Sequence, residues 1–447
     1  MTDTPSLQAA GQGLVTSTVT LTTLSQWLQR LERLHFKSID MGLERVSRVA
    51  QSLGLLSGLP FIFTVGGTNG KGSTVAFLES ILRAGGYRVG TYTSPHLIDF
   101  NERVRIDGSE VSDEQLIAAF EKIESARNDI SLTYFEFTTL AALLVFRQAQ
   151  LDVLVLEVGL GGRLDAVNVW DADVAVVTSI DLDHQAFLGN TREKIGLEKI
   201  GIGRAGKPLV LGERNTPQLV LDSLRALAIP FLQLGRDFDY QTRENDWRFA
   251  GLSRDRKPCV QEPLPVPALY VANAALALQA LALSPFTPAP DAIRAGLENA
   301  SLAGRQQIVQ HQPDLMLDVG HNPHAAAHLA RRLEKSAYRR VHCIVGMLRD
   351  KALADTLVEL LPVVDYWYPV TLGGERGQGA DAIASELREA GARVGFLAAF
   401  PAQACRRLLT QVQRDDLILV FGSFYTVADV IQCRARTAGT RIVEKRT

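Results

Sequence analysis

Cysteine is scarce in this chain. Cys259, Cys343, Cys405 and Cys433 are the four, far apart and with no CxxC pair among them. That spacing excludes a disulfide framework and a thiolate zinc site, and it fits free thiols in a reducing cytosol. An excess of either charge is also missing: 47 basic residues face 49 acidic ones, for a net charge of −2. Without a basic surplus there is no electrostatic case for a nucleic-acid or acidic-membrane partner. No apolar run is long enough to cross a bilayer. Nothing before Arg30 is basic and Met1–Ser17 is small and polar, so the pattern of a secretory leader is absent. The expectation is a cytoplasmic globular protein. Residues 1–19 read as a flexible extension. No unexplained apolar stripe demands a second copy, so a monomer is expected.

What is present is a repeated strand–helix grammar. The apolar share is 46%, and 447 residues exceed one ordinary core. Leu24, Trp27, Leu28, Leu31 and Leu34 follow helical spacing. Strand-like runs follow at Phe61–Val65, Tyr87–Thr91, Leu151–Leu156, Val174–Ile180 and Pro208–Leu211. Helical stretches separate them. One opens at the capping box Ser112-Asp113-Glu114-Gln115 and one covers Phe137–Gln148. A proline-rich break, Ser284–Pro290, leads into a helix through Ile293–Leu297. A second series of strand-like runs follows at Leu315–Val319, Val341–Val345, Val364–Tyr368 and Leu417–Phe421. Apolar runs alternating with helices predict parallel sheets covered on both faces. The expected fold is α/β with two open doubly wound domains, residues 20–301 and a smaller 302–447. Ligands of such sheets bind beyond the carboxyl ends of the strands.

The first strand-like run ends in such a place. Val65-Gly66-Gly67-Thr68-Asn69-Gly70-Lys71-Gly72-Ser73-Thr74 joins it to a helical run, Val75–Leu82. Strand, glycine-rich turn, lysine, hydroxyl and helix make a phosphate-binding loop. Thr68, Asn69, Gly70, Lys71, Gly72 and Ser73 are therefore candidate contacts for the phosphates of a nucleoside triphosphate. In the commonest such loop, serine or threonine follows the lysine directly; here Gly72 intervenes. Glu157 ends the Leu151–Leu156 run, where a carboxylate suits Mg²⁺. Asp181, Asp183 and His184 follow the next run, beside the same site. Gly159-Leu160-Gly161-Gly162 is not a dinucleotide fingerprint, because Leu164 stands where the third glycine belongs.

A wider set of blocks repeats one family's order and spacing. They are Thr64–Thr74, Thr93–Leu97, Asn101–Arg105, Leu132–Glu136, Leu156–Asn168, Ser179–His184, Glu198-Lys199, Asn273–Ala275, Gly304-Arg305, Asp318–Pro323 and Gly422–Phe424. Together they resemble the bacterial bifunctional dihydrofolate synthase/folylpolyglutamate synthase family of the Mur ligase superfamily. The resemblance covers nearly everything after residue 20. It implies a P-loop ATPase domain, a Rossmann-like C-terminal domain, and ATP in the cleft between them. It implies an ATP-dependent ligase. ATP phosphorylates a carboxylate, and the amine of L-glutamate attacks the acyl phosphate. The acceptor is 7,8-dihydropteroate in one reaction and the terminal glutamate of a reduced folate in the other.

The same resemblance implies residue roles. Lys71, His184, Lys199 and His321 would be catalytic. Ser94, Glu157 and His184 would hold Mg²⁺, and Ser94 is preferred to Ser73 because Gly72 shifts the loop's hydroxyl out of register. Lys199 matches a lysine carried as a carbamate on a second Mg²⁺; from the bare sequence Glu198-Lys199 is a surface pair. Asn273, Arg305 and Asp318 match ATP contacts. Ile39, Asp40, Met41 and Gly42, then Thr133, Tyr134, Phe135 and Glu136, then Leu164, Asp165 and Ala166 would meet the pterin. Phe135 would supply a ring face and Asp165 a polar edge, while from the residues alone they read equally as core packing and a turn cap. His321 and Ser423 would lie on the glutamate side. A K⁺ requirement belongs to the same expectation. Leu302 precedes Ala303-Gly304 where proline is usual, and Gly320 stands where alanine is common; both spare the functional side chains. The alternatives are a folylpolyglutamate synthase alone, a Mur-type ligase, and a silent nucleotide-binding relative. Only about 60 residues precede the loop, too few for the extra domain of a Mur-type enzyme. Intact Lys71, Glu157, His184, Lys199, Arg305 and Asp318 speak against silence.

Overall fold

The computed structural model describes residues 21–437. The extension expected at 1–19 lies outside the described residues. The described residues form three sheets. The largest has eight strands, in the order Ser109–Glu110, Val104–Ile106, Val89–Tyr92, Val153–Glu157, Phe61–Gly66, Val174–Val177, Leu209–Leu211, Phe231–Gln233. Its six later members run parallel, and the first two form an antiparallel edge. The loop-bearing strand Phe61–Gly66 thus sits centrally, between the strands ending at Glu157 and Val177. Strand order reverses around it, the position where open sheets leave a crevice.

Side-chain alternation explains how the sheet is sandwiched. Phe63, Val65, Val153, Val155, Val174 and Val176 pack into one core with the Lys71–Ala84 and Val271–Ala282 helices. Ile62, Leu154 and Leu156 point the other way, onto the Leu24–Leu34 and Tyr134–Gln148 helices. A period of two with both faces apolar is what a covered parallel strand requires. The Leu24–Leu34 helix buries Leu24, Trp27 and Leu31, and Thr23 and Gln26 cap it reciprocally. Ser112 and Gln115 do the same for Asp113–Ala126.

The second parallel series forms a five-stranded sheet: Gln307–Gln310, Asp314–Asp318, Leu417–Phe421, Val341–Val345, Tyr366–Pro369. Only its first strand is antiparallel. The third sheet was not anticipated. Asp239–Thr242, Asp246–Leu252 and Pro258–Pro265 pair antiparallel, in the region that the strand–helix grammar left blank. These strands bury one face at most, so no apolar run announces them. One expected strand is also shorter than its apolar run: Val174–Ile180 ends at Val177. Thr178 and Ser179 spend their polar groups on the neighbouring loop instead. Among the described residues no helix is long and apolar enough to cross a membrane.

Candidate functional site

The phosphate-type loop is held from below and from the side. Val65 registers with Glu157, and Gly66 with Val177. Gly67 has φ 143, and a Cβ there would stand 1.9 Å from Thr178 Oγ1. Gly70 has φ 88, and a Cβ there would stand 2.5 Å from Asn273 Oδ1. Both positions need glycine for backbone and for space. The Thr68 amide donates to Ser179 O at 2.9 Å, and the Asn69 amide to Ser179 Oγ at 2.9 Å. In return the hydroxyls of Thr178 and Ser179 donate to Asn69 O at 2.6 and 3.1 Å. Lys71 opens the Lys71–Ala84 helix, and its ammonium donates to Gly67 O at 3.0 Å and Thr68 O at 3.3 Å. Positive charge and helix N–H groups therefore face one concavity.

Glu157 lies against that concavity. A Cβ on Gly72 would crowd Leu302 Cδ2 at 3.0 Å and reach the Glu157 Oε2 only at an ordinary contact distance of 3.6 Å. Glu157 is buried, and the Ser94 amide donates to Oε2 at 3.2 Å. Burial pushes its pKa up, and Lys71 pulls it back. His184 stands at the next strand end in the left-handed region, φ 49, with Nε2 3.8 Å from Asp183 Oδ2. Burial lowers its pKa, which favours the neutral imidazole that a metal needs. Among the described residues no three His, Cys, Asp or Glu side chains form a ready metal cage. Ser94 and Glu157 offer oxygen donors of the kind Mg²⁺ takes, and His184 lines the same pocket.

Lys199 corrects the surface-pair expectation. It is 3% exposed on the Arg192–Ile200 helix. Burial, then Lys71, push its amine down to about 7, against Asp183. Gly162 allows this packing, since a Cβ there would stand 2.9 Å from Lys199 O. Lys199 lines neither cavity of the site.

A pocket of 440 Å³ gathers Thr68 to Ser73, Ser94, Glu157, His184, Asn273, Arg305, Asp318 and His321. Asp318 ends a strand of the five-stranded sheet, Arg305 just precedes that sheet's first strand, and His321 follows Asp318 by one turn of loop. Arg305 is half-buried with its guanidinium 5.0 Å from the Phe424 ring, and its buried Nη1 has no protein partner. A cation with a buried, unpartnered N–H at a pocket wall suits an anion. Asp318 accepts from the Gln306 and Gly320 amides at 3.1 and 2.7 Å, and burial pushes its pKa up.

A second cavity of 570 Å³ collects the expected pterin residues. Ile39, Asp40, Met41, Gly42, Thr133, Phe135, Glu136, Leu164, Asp165 and Ala166 all line it. Tyr134 does not. It turns away and packs beneath Arg103, 5.6 Å from its ring, and edge-on to Phe100. Phe135 lies against Gly159, where a Cβ would come within 2.7 Å of the ring. Asp165 serves as turn cap and cavity wall at once. Its carboxylate accepts from Leu160 N at 2.8 Å and Val167 N at 3.0 Å, and burial pushes its pKa up to about 7. Ser423 lines this cavity, and its hydroxyl is paired with Thr426 Oγ1 at 2.7 Å.

Sequence inspection missed several lining residues. Arg103 sat in a quoted block without a role; it is buried, donates to His96 Nδ1 at 2.8 Å, and lines the larger cavity. Arg45 ties the wall together, donating to Asp40 Oδ2 at 2.7 Å and Glu136 Oε1 at 3.0 Å. Lys351 follows the Val341–Val345 strand and bridges to Asp183 at 3.2 Å. Its position just past a strand end was the available signal. His324 and His328 continue the Asp318–Pro323 block by one helical turn and line the smaller pocket.

Comparisons with known proteins agree with this geometry. Residues 65–208 match the Mur ligase middle domain, and residues 304–424 match the Mur ligase glutamate ligase domain. The chain is 48% identical to the dihydrofolate synthase/folylpolyglutamate synthase of Escherichia coli, over 92% of this chain and 95% of that one. The solved structure of E. coli FolC in complex with DHPP and ADP superposes with a TM-score of 0.89 at 47% identity, covering 94% of this chain and 99% of that one. A bifunctional folylpolyglutamate synthase/dihydrofolate synthase with Mn, AMPPNP and L-glutamate bound gives a TM-score of 0.85 at 46% identity, covering 92% and 98%. The chain belongs to the dihydrofolate synthase/folylpolyglutamate synthase family of Mur ligases.

Proposed function

We propose that this chain joins L-glutamate to 7,8-dihydropteroate and to the terminal glutamate of reduced folates, driven by ATP. The observation that carries this is a shared wall. Ser94, Pro95, Gly159, His184, His321 and Phe424 line both the smaller pocket and the larger cavity. A carboxylate held at the inner end of the larger cavity then meets the terminal phosphate of a nucleotide in the smaller one. The carboxylate oxygen attacks that phosphorus, and the bond to ADP breaks. The glutamate amine then attacks the acyl carbon, phosphate departs with the original carboxylate oxygen, and the amine loses a proton.

His321 fits the proton acceptor. Its Nδ1 lies 3.0 Å from Val319 O, so the ring proton sits there and Nε2 keeps its lone pair. Burial pushes its pKa down to about 4, so it is neutral at pH 7. Lys71 and Arg305 would hold the phosphates, with Asn273 and Asp318 toward the nucleoside. Mg²⁺ held by Ser94, Glu157 and His184 would offset the charge of two approaching anions. Lys199, with its amine lowered to about 7, is suited to react with CO₂ as a carbamate for a second Mg²⁺. The domain junction belongs at residues 301–302, just before the five-stranded sheet begins at Gln307.

The acyl-phosphate route is tested with ¹⁸O in the acceptor carboxylate. One labelled oxygen should appear in the released phosphate. Phosphate free of label would overturn the route.

A further inference from the structure

We infer that His324 and His328 form a two-donor clamp for an acceptor atom on the nucleoside half of ATP, a ring nitrogen or a ribose oxygen, on the reading that the smaller pocket is the nucleotide site. Both residues lie on the Pro323–Leu333 helix, line that pocket, and bring their Nε2 atoms within 3.2 Å of each other.

The position of each ring proton follows from fixed points. Asn322 caps the helix, its Oδ1 accepting from Ala325 N at 2.9 Å. That bond sets which way the Asn322 amide faces. Its Oδ1 also accepts from Asn69 Nδ2 at 3.1 Å, and its Nδ2 donates to Asn69 Oδ1 at 3.0 Å. The Asn69 amide is thereby oriented too. Its remaining N–H points at His324 Nδ1, 3.0 Å away. That nitrogen accepts, so the His324 proton sits on Nε2. At the other end Arg331 Nη2, always a donor, lies 3.0 Å from His328 Nδ1. The His328 proton sits on Nε2 as well.

Two N–H groups therefore face each other. Burial keeps both rings neutral, with His328 pushed down to about 4. An acceptor that enters between them as the rings part from 3.2 Å relieves the contact and gains two hydrogen bonds. The clamp does not suit a metal, because neither Nε2 has a free lone pair. It does not need a phosphate, because Lys71 and Arg305 supply the full charges. His328 is a helical turn beyond the residue that touches Asn69, on the side away from the loop. Tyr270 meets it edge-on at 5.1 Å, and Leu276 and Tyr240 line the same pocket. Flat apolar walls with a neutral donor pair are the surroundings a nucleoside favours.

The test is competition against AMP-PNP on the full chain. The competitors are ATP, deaza-ATP analogues each lacking one ring nitrogen, and 2′- and 3′-deoxy-ATP. The wild type should bind one analogue about tenfold more weakly than ATP. A deaza analogue would identify a base nitrogen, a deoxy analogue a ribose oxygen. His328→Leu should bind ATP about tenfold more weakly and lose that discrimination, while His328→Gln, which keeps an N–H, should recover part of it. Equal binding of all analogues by the wild type, or unchanged discrimination in His328→Leu, would overturn the clamp alone. Failure of the wild type to bind any nucleotide would overturn the pocket reading together with the clamp.

Discussion

The nucleotide pocket and the acceptor cavity share a wall yet are assembled differently. In the first, the core of the site is one loop, Thr68–Ser73, braced by Thr178 and Ser179 from the adjacent strand end. In the second, Asp40, Glu136, Asp165 and Arg376 come from four distant stretches. Arg45 must tie two of them together. Backbone and glycine geometry dominate one; side chains brought together by packing dominate the other. Short contiguous geometry leaves a motif in the sequence, and dispersed geometry does not.

This contrast predicts that loop substitutions act on both reactions alike, while cavity substitutions act on the acceptor. Lys71→Ala should lower kcat/KM about 10³-fold with either acceptor, since a positioned cation at developing charge is removed. Steady-state rates with both acceptors check it, and a loss confined to one would break the comparison. Gly67→Ala should destabilise the fold by about 3 kcal/mol, because a side chain cannot share space with Thr178. Urea unfolding measures that.

Asp165→Asn should raise KM for dihydropteroate about tenfold and leave ATP affinity unchanged. A pH profile sharpens it. Burial raises the folded pKa to about 7, above the ordinary 3.8, so the hydrogen-bond-accepting carboxylate predominates only above about 7. Acceptor affinity should fall as pH drops through 7, and Asp165→Asn should flatten that limb. The stability sign is opposite: the protonated side chain is the better-tolerated form, so its contribution is lost as pH rises from about 4 toward 7. The smallest effect is expected from Lys351→Met. Losing the Asp183 bridge should cost about 1 kcal/mol, read as roughly fivefold in kcat/KM.

Legibility followed the same division. The parallel strands were readable because each buries both faces and so appears as an apolar run. The antiparallel Asp239–Pro265 region was invisible because its strands alternate exposed positions and carry Pro258, Pro263 and Pro265. The loop and Glu157 could be read directly, since both sit at ends of adjacent strands. The burial of Lys199 could not, because it depends on Gly162 packing against carbonyls of the Arg192–Ile200 helix. Tyr134 and Phe135 are neighbours on one helix, yet only Phe135 reaches the cavity. Adjacent helix positions point about 100° apart, and no composition argument says which one faces a ligand.

The most direct test is phosphate release from MgATP and L-glutamate, with 7,8-dihydropteroate or tetrahydrofolate added in parallel. Two cavities meeting at one wall predict release that depends on acceptor and occurs with both. Nucleotide binding without acceptor-dependent release would contradict the account.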